Sequence, residues 1–179
     1  MRSSIAMFMA ALLALSVAAA GTPTASLTLA TAAPRSSPTV SGDVSETAAW
    51  FDTLTVSSAT RIVLDGIDVV TLLIETLAAN STVVIKRSTI GDGGITFTGG
   101  AANVTFEFVD VLTSSSGSAP EYAIKFAQPL VGCSVLIVAS TLTARQYGVA
   151  FVSGVLESKV NITGSTITAS TISPNAALH

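Results

Sequence analysis

The sequence predicts an all-β protein: a single-stranded parallel β-helix, or solenoid, of about four to five coils, preceded by a signal peptide. Internal repetition is the first reason. Five segments, Ile62–Val69, Val83–Ile90, Val104–Val111, Val135–Leu142 and Val160–Ile167, align without gaps, each reading apolar, x, apolar, x, x, small or apolar, x, apolar. The second reason is a shorter motif between them, Leu72-Leu73-Ile74, Ile95-Thr96-Phe97, Ile124-Lys125-Phe126 and Val149-Ala150-Phe151, which keeps the same order throughout. The third is the single cysteine, Cys133, which cannot form an internal disulfide, so packing and backbone pairing must hold the chain together.

Residues 1–20 have the pattern of a signal peptide. Arg2 gives the positive start and Ile5 to Val17 the apolar run. Ala18, Ala19 and Ala20 give the small-residue cleavage site, with the cut between Ala20 and Gly21. The run is shorter than the ~20 residues that cross a bilayer, and the strongest later run, Leu130 to Ala139, is shorter still, so no stable transmembrane span is expected after signal removal. Residues 21–45 are rich in Ser, Thr, Ala and Pro without periodicity, which predicts a flexible lead-in that can carry O-linked sugars. About 160 residues then remain after cleavage, enough for one domain with a core.

The solenoid is expected over residues 46–173. Stacking the repeats gives three columns free of charge: Ile62, Val83, Val104, Val135, Val160; Leu64, Ile85, Phe106, Ile137, Ile162; and Val69, Ile90, Val111, Leu142, Ile167. The second motif adds an aliphatic column followed by a mostly Phe column. Successive Leu64-type positions are spaced 21, 21, 31 and 25 residues apart. Constant strands with variable turns are the mark of coils laid about 4.8 Å apart, so that like residues stack. Thr113 to Pro120 accounts for the longest interval as a polar insertion, the first loop to examine for partner contact. Helix-like spacing of Ile67, Val70, Ile74 and Leu77 is outweighed by the β-branched Val69, Val70 and Thr71. Trp50 and Phe51 are expected to cover the first coil, while the chain stops part-way round the last one. After Ile172 comes Pro174, and residues 174–179 read as a short, truncated tail whose open coil offers a route to self-association.

Charge excludes some functions. Only 11% of residues are charged and the net charge is −3, so no basic patch exists for nucleic acid. The outward positions Asp65, Lys86, Glu107, Val138 and Thr163 predict a stacked charge ladder rather than a catalytic set, which would need partly buried carboxylates in a cleft. Gly91-Asp92-Gly93-Gly94 lacks the following Lys and Ser/Thr of a phosphate loop and reads as a turn. The only histidine, His179, is terminal, so no catalytic, metal or cofactor residues are assigned. Cys133 is expected to point inward as a small apolar residue. Three of the four asparagines, Asn80, Asn103 and Asn161, head N-x-S/T sequons, and strand alternation places all three on the outside as glycosylation candidates.

On these repeats the chain resembles the pectin-lyase-like right-handed parallel β-helices. Cys133–Leu142 and Lys159–Ile167 are similar to segments of the dispersed-gene-family surface proteins of trypanosomatids. The resemblance implies long, cysteine-richer relatives anchored near the C-terminus, whereas this chain has one cysteine and no second hydrophobic span. The expectation is a secreted or cell-surface, non-catalytic β-helix with an adhesive or surface-display role and a carbohydrate or surface-protein ligand. The alternatives are a polysaccharide-acting β-helix lyase or hydrolase, or a fragment of a longer surface protein.

Overall fold

A computed structural model describes residues 24–25, 36–113 and 119–169, the first pair by backbone only. Among them there is no helix. Strands rich in Val, Ile, Thr and Phe pair in parallel, each with strands about one repeat earlier and later in the chain. A 15-stranded sheet curls through about 290°, and a separate three-stranded sheet forms from Ala101–Ala102, Leu130–Val131 and Val155–Leu156. The architecture is all-β and compatible with a β-helix. The signal-peptide residues 1–20, most of the lead-in, the insertion core 114–118, Ile172 and the tail 174–179 lie outside the described residues.

One face of the curled sheet stacks Asp43–Thr47, the second half of the long strand Trp50–Asp65, Leu77–Lys86, Thr105–Val109, Ser134–Val138 and Lys159–Thr163. The adjoining face stacks Thr39–Ser41, the first half of Trp50–Asp65, Asp68–Ile74, Thr89–Phe97, Tyr122–Phe126 and Tyr147–Phe151. Strands therefore occur inside the segment expected as lead-in: Thr24–Ala25, which pairs with Asp43–Val44, then Thr39–Ser41 and the start of Asp43–Thr47. Phe51 does not cap the stack. It is fully buried, sits under Val69, and has Ser36 bridged beneath it.

Alternation sends every second side chain inward, and the interior columns are continuous. Leu72, Ile95, Ile124 and Val149 form one, and Ile74, Phe97, Phe126 and Phe151 the next, both as the repeats predict, and Leu54 and Val56 extend them downward by one strand. The other columns carry a two-residue correction in the third repeat. Phe106 and Phe108, not Val104 and Phe106, lie between Ile85-type neighbours: the columns run Ile62, Val83, Phe106, Val135, Val160 and Leu64, Ile85, Phe108, Ile137, Ile162. Thr113 likewise replaces Val111 between Ile90 and Leu142. The slip keeps parity, so all these residues still face inward. Glu46 extends the Leu64 column downward, at 4% exposure, so the interior does contain a charge-bearing residue.

The aromatic part of this core has fixed geometry. Phe126 stacks on Phe97 at 4.8 Å and on Phe151 at 5.2 Å, and meets the edge of Phe106 at 5.1 Å. Each fully buried ring contributes about 1.5–3 kcal/mol through removal from water, with ring pairing added to that.

Corners are made by a recurring backbone conformation. Ala48, Gly66, Arg87, Asp110, Ala139 and Gly164 all have positive φ and follow directly on one paired strand register. Their N–H groups reach the carbonyls of the next repeat, as from Arg87 to Val109 O and from Asp110 to Val138 O. The residue that follows turns inward, and where it is serine it sews the corner. Ser140 Oγ donates to Val138 O at 2.9 Å and accepts Val111 N–H at 3.1 Å, and Ser88 does the same with Lys86 O and Ile67 N–H. A second corner column holds Asn80, Asn103, Gly132 and Glu157, again all at positive φ.

Candidate functional site

With the interior given over to packing, chemistry must come from the outer columns and the corners. All three sequon asparagines are exposed. Asn80 (φ 63°) and Asn103 (φ 55°) occupy consecutive places in the second corner column, and the threonine of each sequon, Thr82 and Thr105, stacks on its counterpart two residues later. Asn161 lies elsewhere, mid-strand in Lys159–Thr163, in the outward column Val63, Val84, Glu107, Leu136, Asn161. Thr163 Oγ1 donates to its Oδ1 at 3.1 Å.

The expected charge ladder is not formed. The two-residue slip moves Glu107 beside Val84 and Leu136, and Val109 takes its place above Lys86. The charge that pairs instead is Arg87, at the corner, whose guanidinium grips Asp65 with two bonds of 2.8 and 2.5 Å. Asp65 holds the Arg87 pKa above its ordinary value, with a smaller push from Asp110. At the lower end, Asp43 Oδ1 accepts from Thr60 Oγ1 at 2.6 Å, Thr60 N at 3.0 Å and Arg61 N at 2.8 Å. The Thr60 hydroxyl bond, followed by those backbone donors, keeps this carboxyl below the usual aspartate value despite slight desolvation.

Beside the polar insertion, Tyr122 and Tyr147, both of the tyrosines in the chain, stack at 5.6 Å and 15°. Lys125 Nζ lies 4.5 Å from the Tyr122 ring centre, and desolvation, then Glu121 nearby, raises the Tyr122 pKa. Tyr147, Ala150, Phe151 and Val152 continue this wall into a shallow open depression. This pair belongs to none of the repeat motifs that the sequence predicts. Its signal was available: the tyrosines are separated by the same 25 residues as Ile124 and Val149, so they share a register.

Gly91–Gly94 is a local expansion. The register shifts between Val69 and Thr71, which pair with Ile90 and Gly94, so the run accommodates two extra residues on one side. Gly94 has φ +67°, and a Cβ there would lie 2.2 Å from Tyr122 O, so the close approach of two repeats requires glycine. Cys133 is 2% exposed, and its thiol donates to Ala101 O at 3.3 Å; its place is inward, as expected. Among the described residues no three His, Cys, Asp or Glu side chains gather as metal ligands would, and no helix is long and apolar enough to cross a membrane. Signal cleavage at Ala20 and Gly21 falls outside the described residues. No protein-family model, curated protein or solved structure matches the chain.

Proposed function

We propose that the chain is a pectin-lyase-like parallel β-helix that is exported and displayed outside the cell, where it acts without catalysis as a glycosylated or adhesive surface. The curled parallel sheet and its stacked columns support the β-helix. The observation that carries the role is the surface itself: sequon asparagines stand exposed on a stack whose inward positions are committed to the core. A carbohydrate or a surface protein is the class of ligand such a face would meet, with the Tyr122–Tyr147 wall and its neighbouring insertion as the first places to test contact.

Expression of the full chain, including residues 1–20, in a glycosylating eukaryotic cell tests the reading. The expected result is recovery from the medium, cleavage after Ala20 and a mass that falls on glycosidase treatment. Retention inside the cell with an intact N-terminus would refute export. The secreted material is then incubated with a panel of anionic polysaccharides and calcium. Formation of unsaturated products, or of new reducing ends, would refute the non-catalytic part and establish the polysaccharide-acting alternative.

A further inference from the structure

The three sequons are not equivalent, and their difference identifies one of them. Asn80 and Asn103 are explained by the backbone. Both are at left-handed corners shared with Gly132 and Glu157, and asparagine is the non-glycine residue that enters this conformation most readily. Asn103 is also packed along the stack: a Cβ on Gly132 would come within 2.4 Å of Asn103 Oδ1, so the amide lies over the next corner.

Asn161 has no such explanation. It is not among the positive-φ residues, and it sits mid-strand, where asparagine is disfavoured, in a column otherwise filled by Ser45, Val63, Val84, Glu107 and Leu136. Thr163, two residues on and so on the same outer face, donates its hydroxyl to Asn161 Oδ1, which occupies the oxygen and leaves the nitrogen as the other end of the amide. The position is also at the edge of the described stack, together with Tyr147–Phe151, Val155–Leu156 and Thr166–Ala169. Among the described residues, Lys159–Thr163 pairs only with Ser134–Val138. Apolar side chains are exposed along this same last described repeat: Val160 at 39%, Val155 at 37%, Leu156 at 59% and Val152 at 58%. An edge of this kind is a template for another strand, and proteins ordinarily protect such edges with charge, proline or a bulge.

We infer that Asn161 is the sequon of this chain that carries an N-linked oligosaccharide, and that the sugar shields the Lys159–Thr163 strand from addition of a strand of a second copy. The inference rests on the proposed passage through the secretory pathway. Transfer forms a bond from Asn161 Nδ2 to the anomeric carbon of an oligosaccharide while the anomeric C–O bond to a lipid-linked diphosphate breaks. The diphosphate leaves, and one Nδ2 proton passes to a base of the transferase. The bulky hydrophilic group then stands on the outer face of the edge strand, where an incoming strand in register would have to pack.

The test uses the full chain secreted from a eukaryotic host, with glycopeptide mapping and analytical sedimentation. Wild type is expected to carry the glycan on Asn161 and to sediment as one slow species. Asn161→Gln and Thr163→Ala both remove the sequon, the second while keeping the asparagine, and both are expected to form faster-sedimenting species. Asn80→Gly with Asn103→Gly is expected to keep the wild-type glycan and sedimentation. Glycosidase treatment of folded wild type gives the same comparison without any substitution and is expected to release the faster species. A glycan on Asn80 or Asn103 with Asn161 bare would overturn the site assignment while leaving the glycoprotein reading intact. Sedimentation unchanged by glycan removal would overturn the shielding. Secreted protein with no glycan at all would instead overturn the glycoprotein reading on which the inference stands.

Discussion

Replacing Phe126 by alanine tests the stacked interior most directly. The ring is 1% exposed and touches three others: Phe97 and Phe151 in parallel stacks above and below, and Phe106 edge-on. Truncating a buried Phe costs about 3–5 kcal/mol, combining lost transfer free energy with the cavity left behind. The ladder above and below consists of fixed backbone pairs, which limits collapse of the cavity, so about 4 kcal/mol is expected. That is a large share of the roughly 5–15 kcal/mol that holds a domain folded. Phe151 stacks on one ring of the ladder and is half-buried, so Phe151→Ala should cost about half as much, roughly 2 kcal/mol. Phe126→Leu keeps most of the volume and removes the ring pairing, for about 1–2 kcal/mol. Urea unfolding followed by far-ultraviolet circular dichroism gives all three values. Equal costs for Phe151→Ala and Phe126→Ala, or a cost under about 1 kcal/mol for Phe126→Ala, would rule out a tightly stacked aromatic interior.

Two further outcomes follow from single polar contacts. Thr113 stands between the apolar Ile90 and Leu142 at 1% exposure, where its hydroxyl accepts Thr143 N–H at 2.7 Å and donates to Thr143 O at 3.1 Å. Thr113→Val should therefore destabilise by about 1–3 kcal/mol, by leaving these groups unsatisfied; a more stable variant in the same urea assay would show that apolar stacking outweighs them. Asp43 has a lowered pKa in the folded chain because of its bonds from Thr60 and Arg61, so its contribution is present above the unfolded value of 3.8 and lost as pH falls through the folded value. The stability gap between wild type and Asp43→Asn should thus be widest near pH 7 and should close below about pH 4. A gap of equal size at pH 7 and pH 2.5 would rule out the carboxylate as its source.

The periodic interior was legible because alternation and stacking both act on residue type: apolar side chains fill all but a few inward positions, Glu46 and Thr113 among the exceptions, and the order Leu72/Ile74, Ile95/Phe97, Ile124/Phe126, Val149/Phe151 repeats throughout. Register in the third repeat was not legible from apolarity. Val104, Phe106 and Phe108 alternate perfectly, and a shift by two leaves each of them facing inward. What decides between the two registers is the corner. Asn80 and Asn103 both adopt positive φ, and aligning Asn80-Ser81-Thr82 on Asn103-Val104-Thr105 gives the observed pairing of Thr82 with Thr105. A backbone requirement thus marked the register, while hydrophobicity was indifferent to it. The Asp65–Arg87 pair was hidden for the same reason. Arg87 is a corner residue, outside the strand alternation that predicted Lys86 and Glu107 as neighbours. The serine bonds at Ser88 and Ser140 were unreadable too, because in a chain so rich in serine nothing in the residue type separates an inward corner from an exposed turn.

The pairing pattern carries a consequence for synthesis. Leu64 meets its upper partner at Ile85, Ile85 at Phe108, and Phe108 at Ile137, so no strand of this face can complete its hydrogen bonds from its own neighbourhood. At a translation rate of about 5–20 residues per second, each newly emerged strand waits on the order of one to five seconds for its next partner. During that wait its upper edge and its inward Val, Ile and Phe side chains are uncovered. The chain therefore grows as a sequence of transiently open templates, each closed by the next, and the order of emergence is also the order in which its core is built.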